Sequence, residues 1–177
     1  MDTDEEKEFE WAAKEMEALL QRVRCCQLAT VSSSGSPLAS YAPVFVDEER
    51  RFYVFVSAIA KHYGHLKRSG KASLSMIDDE SASENLFARK RLTVDCDVAL
   101  VERDSEAWLE GTAGLQRRGG ETMGYLKELS DFDLFRLRAS EGRLVLGFGK
   151  AYRVSGERLE TIAYLGAGGH RSKNSSK

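Results

Sequence analysis

Arg91-Leu-Thr-Val-Asp-Cys-Asp-Val-Ala-Leu-Val-Glu102 alternates apolar and polar residues with a period of two. Leu92, Val94, Cys96, Val98 and Leu100 fall on one side, and Thr93, Asp95 and Asp97 fall on the other. An extended chain sends successive side chains to opposite faces, so this pattern predicts a half-buried strand. Three cations, Arg89, Lys90 and Arg91, crowd its entrance.

Working outward, short β-rich runs separated by turn chemistry precede it: residues 27–32, a Ser-Ser-Gly-Ser-Pro turn at 33–37, residues 38–46, a polar turn at 47–50, then 52–57 and 71–77. A short helix is predicted at 58–69. At the amino end, Phe9, Ala12, Ala13, Met16, Leu19, Leu20 and Val23 recur at three- and four-residue spacing. That is an amphipathic helix ending near Arg24, with glutamates at its start where the helix dipole favours them. Beyond the central strand, residues 105–129 read as helical with a break at Gly119-Gly120. Residues 134–138 and 143–147 read as a hairpin turning over 139–142, followed by a strand at 151–155. About seven strands with flanking helices predict a β-rich α+β domain, a small antiparallel barrel. The division expected is an N-terminal helix at 1–25, a barrel domain at 26–165 and a C-terminal tail at 166–177.

A chain of 177 residues can bury a real core. A formal net charge of −2 argues against nucleic acid, whose phosphates need a positive surplus. No apolar run approaches the roughly 20 residues of a membrane span. The acidic start does not resemble a secretory signal, so a cytoplasmic location is expected. Cys25 and Cys26 are adjacent and Cys96 stands alone, with no C-x-x-C pair for zinc, thiol exchange or covalent haem.

The common nucleotide, nucleophile and zinc motifs are absent, and four features remain. His62 and His65 share one face of the short helix, as a metal pair or as a solvated basic face. Arg89 and Arg91 share a face that Lys90 opposes, which suits a phosphate, a pair of carboxylates, or simply an edge strand kept soluble by charge. Asp131 and Asp133 are acid–base candidates or turn residues. His170 lies in a glycine-rich, polar tail, where an imidazole is a poor core residue but a good axial ligand for iron, unless the terminus is simply frayed.

Taken in order, Gln27-Leu-Ala-Thr-Val31, Ser40-Tyr-Ala-Pro43, Phe87-Ala-Arg-Lys-Arg-Leu92, Asp131-Phe132, Leu134-Phe-Arg-Leu137, Gly147-Phe-Gly149 with Ala151-Tyr152, and Gly169-His-Arg171 resemble the HugZ/HutZ-type haem-utilisation family, above all its short members. The resemblance runs from about Gln27 to Arg171. It implies an FMN-binding-type split β-barrel, related to the pyridoxamine-phosphate oxidases and assembled as a homodimer, with haem b rather than FMN bound near the dimer interface. It further implies His170 as axial ligand of the haem iron, Asp131 as a catalytic carboxylate near the haem, Arg91 as a catalytic arginine of the pocket, and His62 at the cofactor, where Arg89 is expected too because it shares a face with Arg91. Two departures stand out. Asp133 lies two residues past Asp131 and faces the same way on an extended backbone, and the Gly166-Ala-Gly-Gly run is expected to loosen His170.

The function expected from the resemblance is a haem-degrading oxygenase that opens the porphyrin to a biliverdin-like product and releases iron. Haem would be both cofactor and substrate, with an external electron donor and a reductase or haem-donor protein as possible partners. A haem carrier without turnover is the alternative, and a flavin-dependent oxidoreductase is a third reading resting on fold analogy alone.

Overall fold

A computed structural model describes residues 3–165 of the chain. It opens with α1 (Thr3–Arg22), whose first turn carries Asp4, Glu5 and Glu6, and whose buried stripe is Ala12, Met16, Leu19 and Leu20. These four residues belong to the main core, so the helix is part of the barrel domain and not an appendage to it.

β1 (Cys25–Val31) and β2 (Pro37–Pro43) form a hairpin through the Ser-Gly-Ser turn. The segment predicted as one strand at 38–46 breaks at Val44, whose N–H turns to the Arg24 carbonyl, and resumes as β3 (Phe45–Val46). β4 (Phe52–Ser57) leads into α2 (Lys61–Ser69), which stops at Gly70 and passes straight into β5 (Lys71–Ile77). After two short 3-10 turns, Glu80–Ala82 and Leu86–Ala88, comes β6 (Arg91–Leu100), where the alternating stretch buries Leu92, Val94 and Cys96 as predicted. α3 (Glu106–Gly119) is capped by Ser105, which accepts from the Trp108 N–H, and the glycine break separates it from α4 (Thr122–Leu126). The chain closes on β7 (Phe132–Gly147), β8 (Lys150–Ser155) and β9 (Thr161–Tyr164).

The strands run β2-β1-β5-β6-β7-β4-β3, with β8 and β9 continuing from β7, and every pairing is antiparallel. The sheet curls around one core into a half-barrel, and a smaller apolar cluster of Tyr53, Phe55, Trp108, Leu115, Met123 and Leu134 lies beneath α3. That helix sits close because Gly114 presents no side chain: a Cβ there would stand 2.3 Å from the Phe45 ring.

The expected hairpin at 139–142 does not form. β7 runs unbroken for 16 residues, and Gly142 lies inside it, opposite Val94 on β6 and Val154 on β8. A Cβ at Gly142 would fall 2.6 Å from Val94 Cγ1 and 2.7 Å from the Thr93 carbonyl oxygen. The glycine serves a close approach between strands, beside a bulge at Asp95/Cys96, and not a turn.

Candidate functional site

The start of β7 lies against the end of β4 and the helix that follows it. Ala58 N–H donates to the Asp131 carbonyl at 2.7 Å, and Ser57 Oγ donates to Asp131 Oδ2 at 3.2 Å. Asp131 is otherwise exposed. Two residues on, Asp133 is half-buried and accepts at Oδ2 from the Tyr63 hydroxyl of α2 at 2.5 Å. The structure therefore separates the two carboxylates that the sequence left equivalent: Asp133 is bound to the helix, whereas Asp131 is held only at its edge by a serine.

α2 carries both described histidines. His62 is half-buried, and loss of solvent, with the nearby charge of His65, holds its imidazole below the ordinary histidine range. His65 Nδ1 lies 3.0 Å from the buried Thr30 hydroxyl, which ties the helix to β1. Among the described residues no group of three or more His, Cys, Asp or Glu is arranged to hold a metal, so the two histidines are not a completed ion site.

The cationic run at the mouth of β6 is organised differently. Lys90 turns toward α1 and pairs with Glu15. Arg89 Nη2 donates to the Asp78 carbonyl at 2.6 Å, its Nη1 stands 3.6 Å from the exposed Glu80 carboxylate, and its Nε is buried without a partner. Arg91 is half-buried and donates to the Arg89 carbonyl at 2.9 Å. Among the described residues it has no carboxylate partner. Asp78 anchors this corner, accepting both Arg22 Nε at 2.9 Å and Arg22 Nη2 at 2.8 Å, and that guanidinium holds its carboxyl below the usual range.

The two clusters are far apart in one chain. Along the β6–β7 ladder Arg91 faces Val145, while Leu100 faces Phe135, and Asp131 precedes that end of β7. From Val145, opposite Arg91, back to Asp131 is 14 residues, about 45 Å measured along the strand at ~3.3 Å per residue. Each cluster has an exposed apolar neighbour: Ile59, 90% exposed, between Asp131's partners and α2, and Phe87, 88% exposed, before Arg89. A cavity of about 450 Å³ lies elsewhere, among Val31, Lys71, Ser73, Asp95 and Asp97, and none of His62, Arg89, Arg91, Asp131 and Asp133 lines it.

The two buried cysteines offer no alternative ligand. Burial pushes the Cys26 thiol up to about 12 and raises Cys96 further still, so neither supplies a thiolate near neutrality. His170 and the tail at 166–177 lie outside the described residues. Sequence reasoning missed Tyr63, Lys67, Ser57, Asp78 and Arg22. Only the Tyr63/Lys67 spacing of one helical turn carried a local signal.

The profile of the pyridoxamine 5'-phosphate oxidase family matches residues 12–146. Heme oxygenase HutZ of Vibrio cholerae serotype O1 is 42% identical over 160 residues, covering 90% of each chain. A crystal structure of HutZ from Vibrio cholerae, described as a heme storage protein, superposes with a TM-score of 0.70 at 41% identity, covering 76% of this chain and 94% of that one. Campylobacter jejuni ChuZ superposes with a TM-score of 0.82 at 24% identity, over 93% of this chain and 66% of its own, and shares the fold.

Proposed function

The chain belongs to the HutZ-type haem-utilisation family, built on the split barrel of the pyridoxamine 5'-phosphate oxidases, and from that premise we propose that it binds haem b and opens the ring oxidatively to a biliverdin-like product, releasing iron. The observation that carries the reading is Arg91. A half-buried guanidinium with no carboxylate partner among the described residues, beside an Arg89 Nε that is buried and unpaired, has donors left for an anionic ligand. Haem fits: its propionates match the arginines, and its apolar body matches Phe87 and Ile59.

His170 would hold the haem iron, a role carried over from the Gly169-His-Arg171 motif. Haem, when bound, is the substrate and supplies the iron chemistry, with oxygen and an external reductant as co-reactants. Arg91 and Arg89 hold and orient its anionic edge. Asp131, with an exposed carboxylate edge, orients an imidazole or a water beside the iron, and His62, held largely neutral near pH 7, offers a nitrogen that accepts a proton. Because Arg91 and Asp131 lie at opposite ends of the β6–β7 ladder, about 45 Å apart along β7, the reading brings them to one haem where two chains meet. The homodimer is part of the proposal for that reason, as is a cytoplasmic location for a chain in which no described helix is long and apolar enough to cross a membrane.

A storage role is the second reading, favoured by the description of the HutZ crystal structure. One experiment decides between them: the Soret band of the haem complex followed under oxygen with ascorbate or an enzymatic reductant, catalase present. Decay to a bile-pigment spectrum supports the oxygenase. A stable band supports storage, and a spectrum that remains that of free haem when the protein is added removes both.

A further inference from the structure

Tyr63 is the residue by which α2 reaches the far strand of its own site. Its hydroxyl donates to Asp133 Oδ2 at 2.5 Å and accepts from Lys67 Nζ, one turn along, at 3.2 Å. Its ring stands edge-on to Phe135, centroids 5.5 Å apart and planes at 82°. Asp133 and Phe135 are two residues apart on β7, so they present the same face, and together they register the helix along the strand. At the other end of the same short segment, Ser57 and Ala58 are bonded to Asp131. The stretch from 57 to 63 is thus tied at one end to Asp131, just ahead of β7, and at the other to Asp133 within it, and His62 lies inside it.

We propose that Tyr63 is a positioning residue: by fastening α2 to Asp133 it sets where the His62 imidazole stands relative to the Asp131 carboxylate. Asp133 serves the helix and not the ligand, and Lys67 balances its charge from above the Tyr63 ring at 5.3 Å. The inference rests on the haem reading for its functional consequence. The helix does not need this bond to stay on the barrel, because Leu66 is buried and His65 is tied to Thr30. Loss of the hydroxyl therefore leaves α2 docked but free to slide against β7.

Tyr63→Phe keeps the ring and removes only the clamp. The first readout needs no haem: the imidazole titrations of His62 and His65 followed by NMR. In the wild type His62 is expected to titrate below the ordinary value of about 6.5, because burial disfavours its charged form. In Tyr63→Phe it is expected to rise toward that value as the imidazole gains solvent. The second readout is Soret decay, expected to slow about tenfold, some 1.4 kcal/mol in the barrier, with haem affinity changed less than twofold. Asp133→Asn keeps an acceptor for the hydroxyl and behaves as the wild type, whereas Asp133→Ala behaves as Tyr63→Phe. Thr30→Val cuts the other tie and leaves His62 and the decay rate unchanged. An unmoved His62 titration in Tyr63→Phe overturns the proposal. So does an unchanged decay rate where the wild type turns haem over, or a Thr30→Val variant that matches Tyr63→Phe. If the wild type binds haem and does not degrade it, the oxygenase reading fails, while the His62 titration still decides the clamp.

Discussion

Arg91 and Asp131 stand at opposite ends of the β6–β7 ladder, with Arg91 beside Val145 and Asp131 just ahead of the strand end that meets Leu100. If both serve one haem, each site draws its arginine from one chain and its aspartate from the other. Mixing Arg91→Ala chains with Asp131→Ala chains then creates heterodimers in which one site carries both defects and the other carries none. Co-refolded variants are expected to recover up to about a quarter of wild-type turnover: random pairing makes half the dimers mixed, and each has one intact site of two. Sites built within single chains give no recovery, and that result removes the shared-site geometry.

The ligand itself is tested at His170. His170→Ala is expected to abolish or strongly weaken the ferric Soret band while the far-ultraviolet circular dichroism of the barrel stays as it was, because the main core is assembled from residues between Ala12 and Leu159. A wild-type Soret spectrum in this variant eliminates His170. It would leave His62 or His65 to be examined, since the raised thiols of Cys26 and Cys96 are poor ligands.

The two aspartates part on their partners. Asp131→Asn is expected to keep haem and slow its decay by one to two orders of magnitude, in the range that groups orienting a metal's ligands typically contribute. Asp133→Asn still offers the Tyr63 hydroxyl an oxygen and changes decay little. The reverse pattern, with Asp133→Asn the slow variant, reassigns the site carboxylate.

Much of the fold was legible because the sheet is one-sided. Leu92, Val94 and Cys96 point into the half-barrel while Thr93, Asp95 and Asp97 face out, and a period of two reports that directly. The α1 stripe was legible for the same reason at helical spacing. The site was legible only through motif order, because its geometry depends on pairs distant in sequence: Tyr63 with Asp133, Arg22 with Asp78, Ser57 with Asp131. No local pattern encodes a hydroxyl on a helix finding a carboxylate 70 residues later. β9 went unseen for a related cause: four residues, three of them exposed, carry too little alternation to register.

Acid stability follows from Asp78. Arg22 lowers its carboxyl below the unfolded value of about 3.9, so the native state binds its proton less readily than the unfolded chain. The resulting stabilisation is fully present above about pH 4 and is lost as pH falls through the lowered native value. Denaturant midpoints measured from pH 6 to pH 2 are expected to fall less steeply below pH 4 in Asp78→Asn than in the wild type. Parallel curves would show that the pair contributes nothing to the acid limb.

Gly142 tests the one element that sequence misplaced. A turn glycine, exposed and free to move, accepts a methyl group at little cost unless its φ is positive, and Gly142 is not among the positive-φ glycines. In the unbroken strand the same methyl meets Val94 Cγ1 at 2.6 Å, the Thr93 carbonyl at 2.7 Å and Val154 Cγ2 at 3.3 Å, with backbone on one side unable to yield. Overpacking of that kind costs about 1–3 kcal/mol. Gly142→Ala is therefore expected to lower the unfolding free energy by that amount, read from denaturant titration, whereas Ser140→Ala, two residues earlier and exposed, changes it by no more than about 0.5 kcal/mol. The loss should fall on the pairing of β6, β7 and β8 together, since Gly142 pairs with Val94 on one side and Val154 on the other. A Gly142→Ala protein as stable as the wild type would mean that the three strands do not converge there, and that residues 139–142 turn after all.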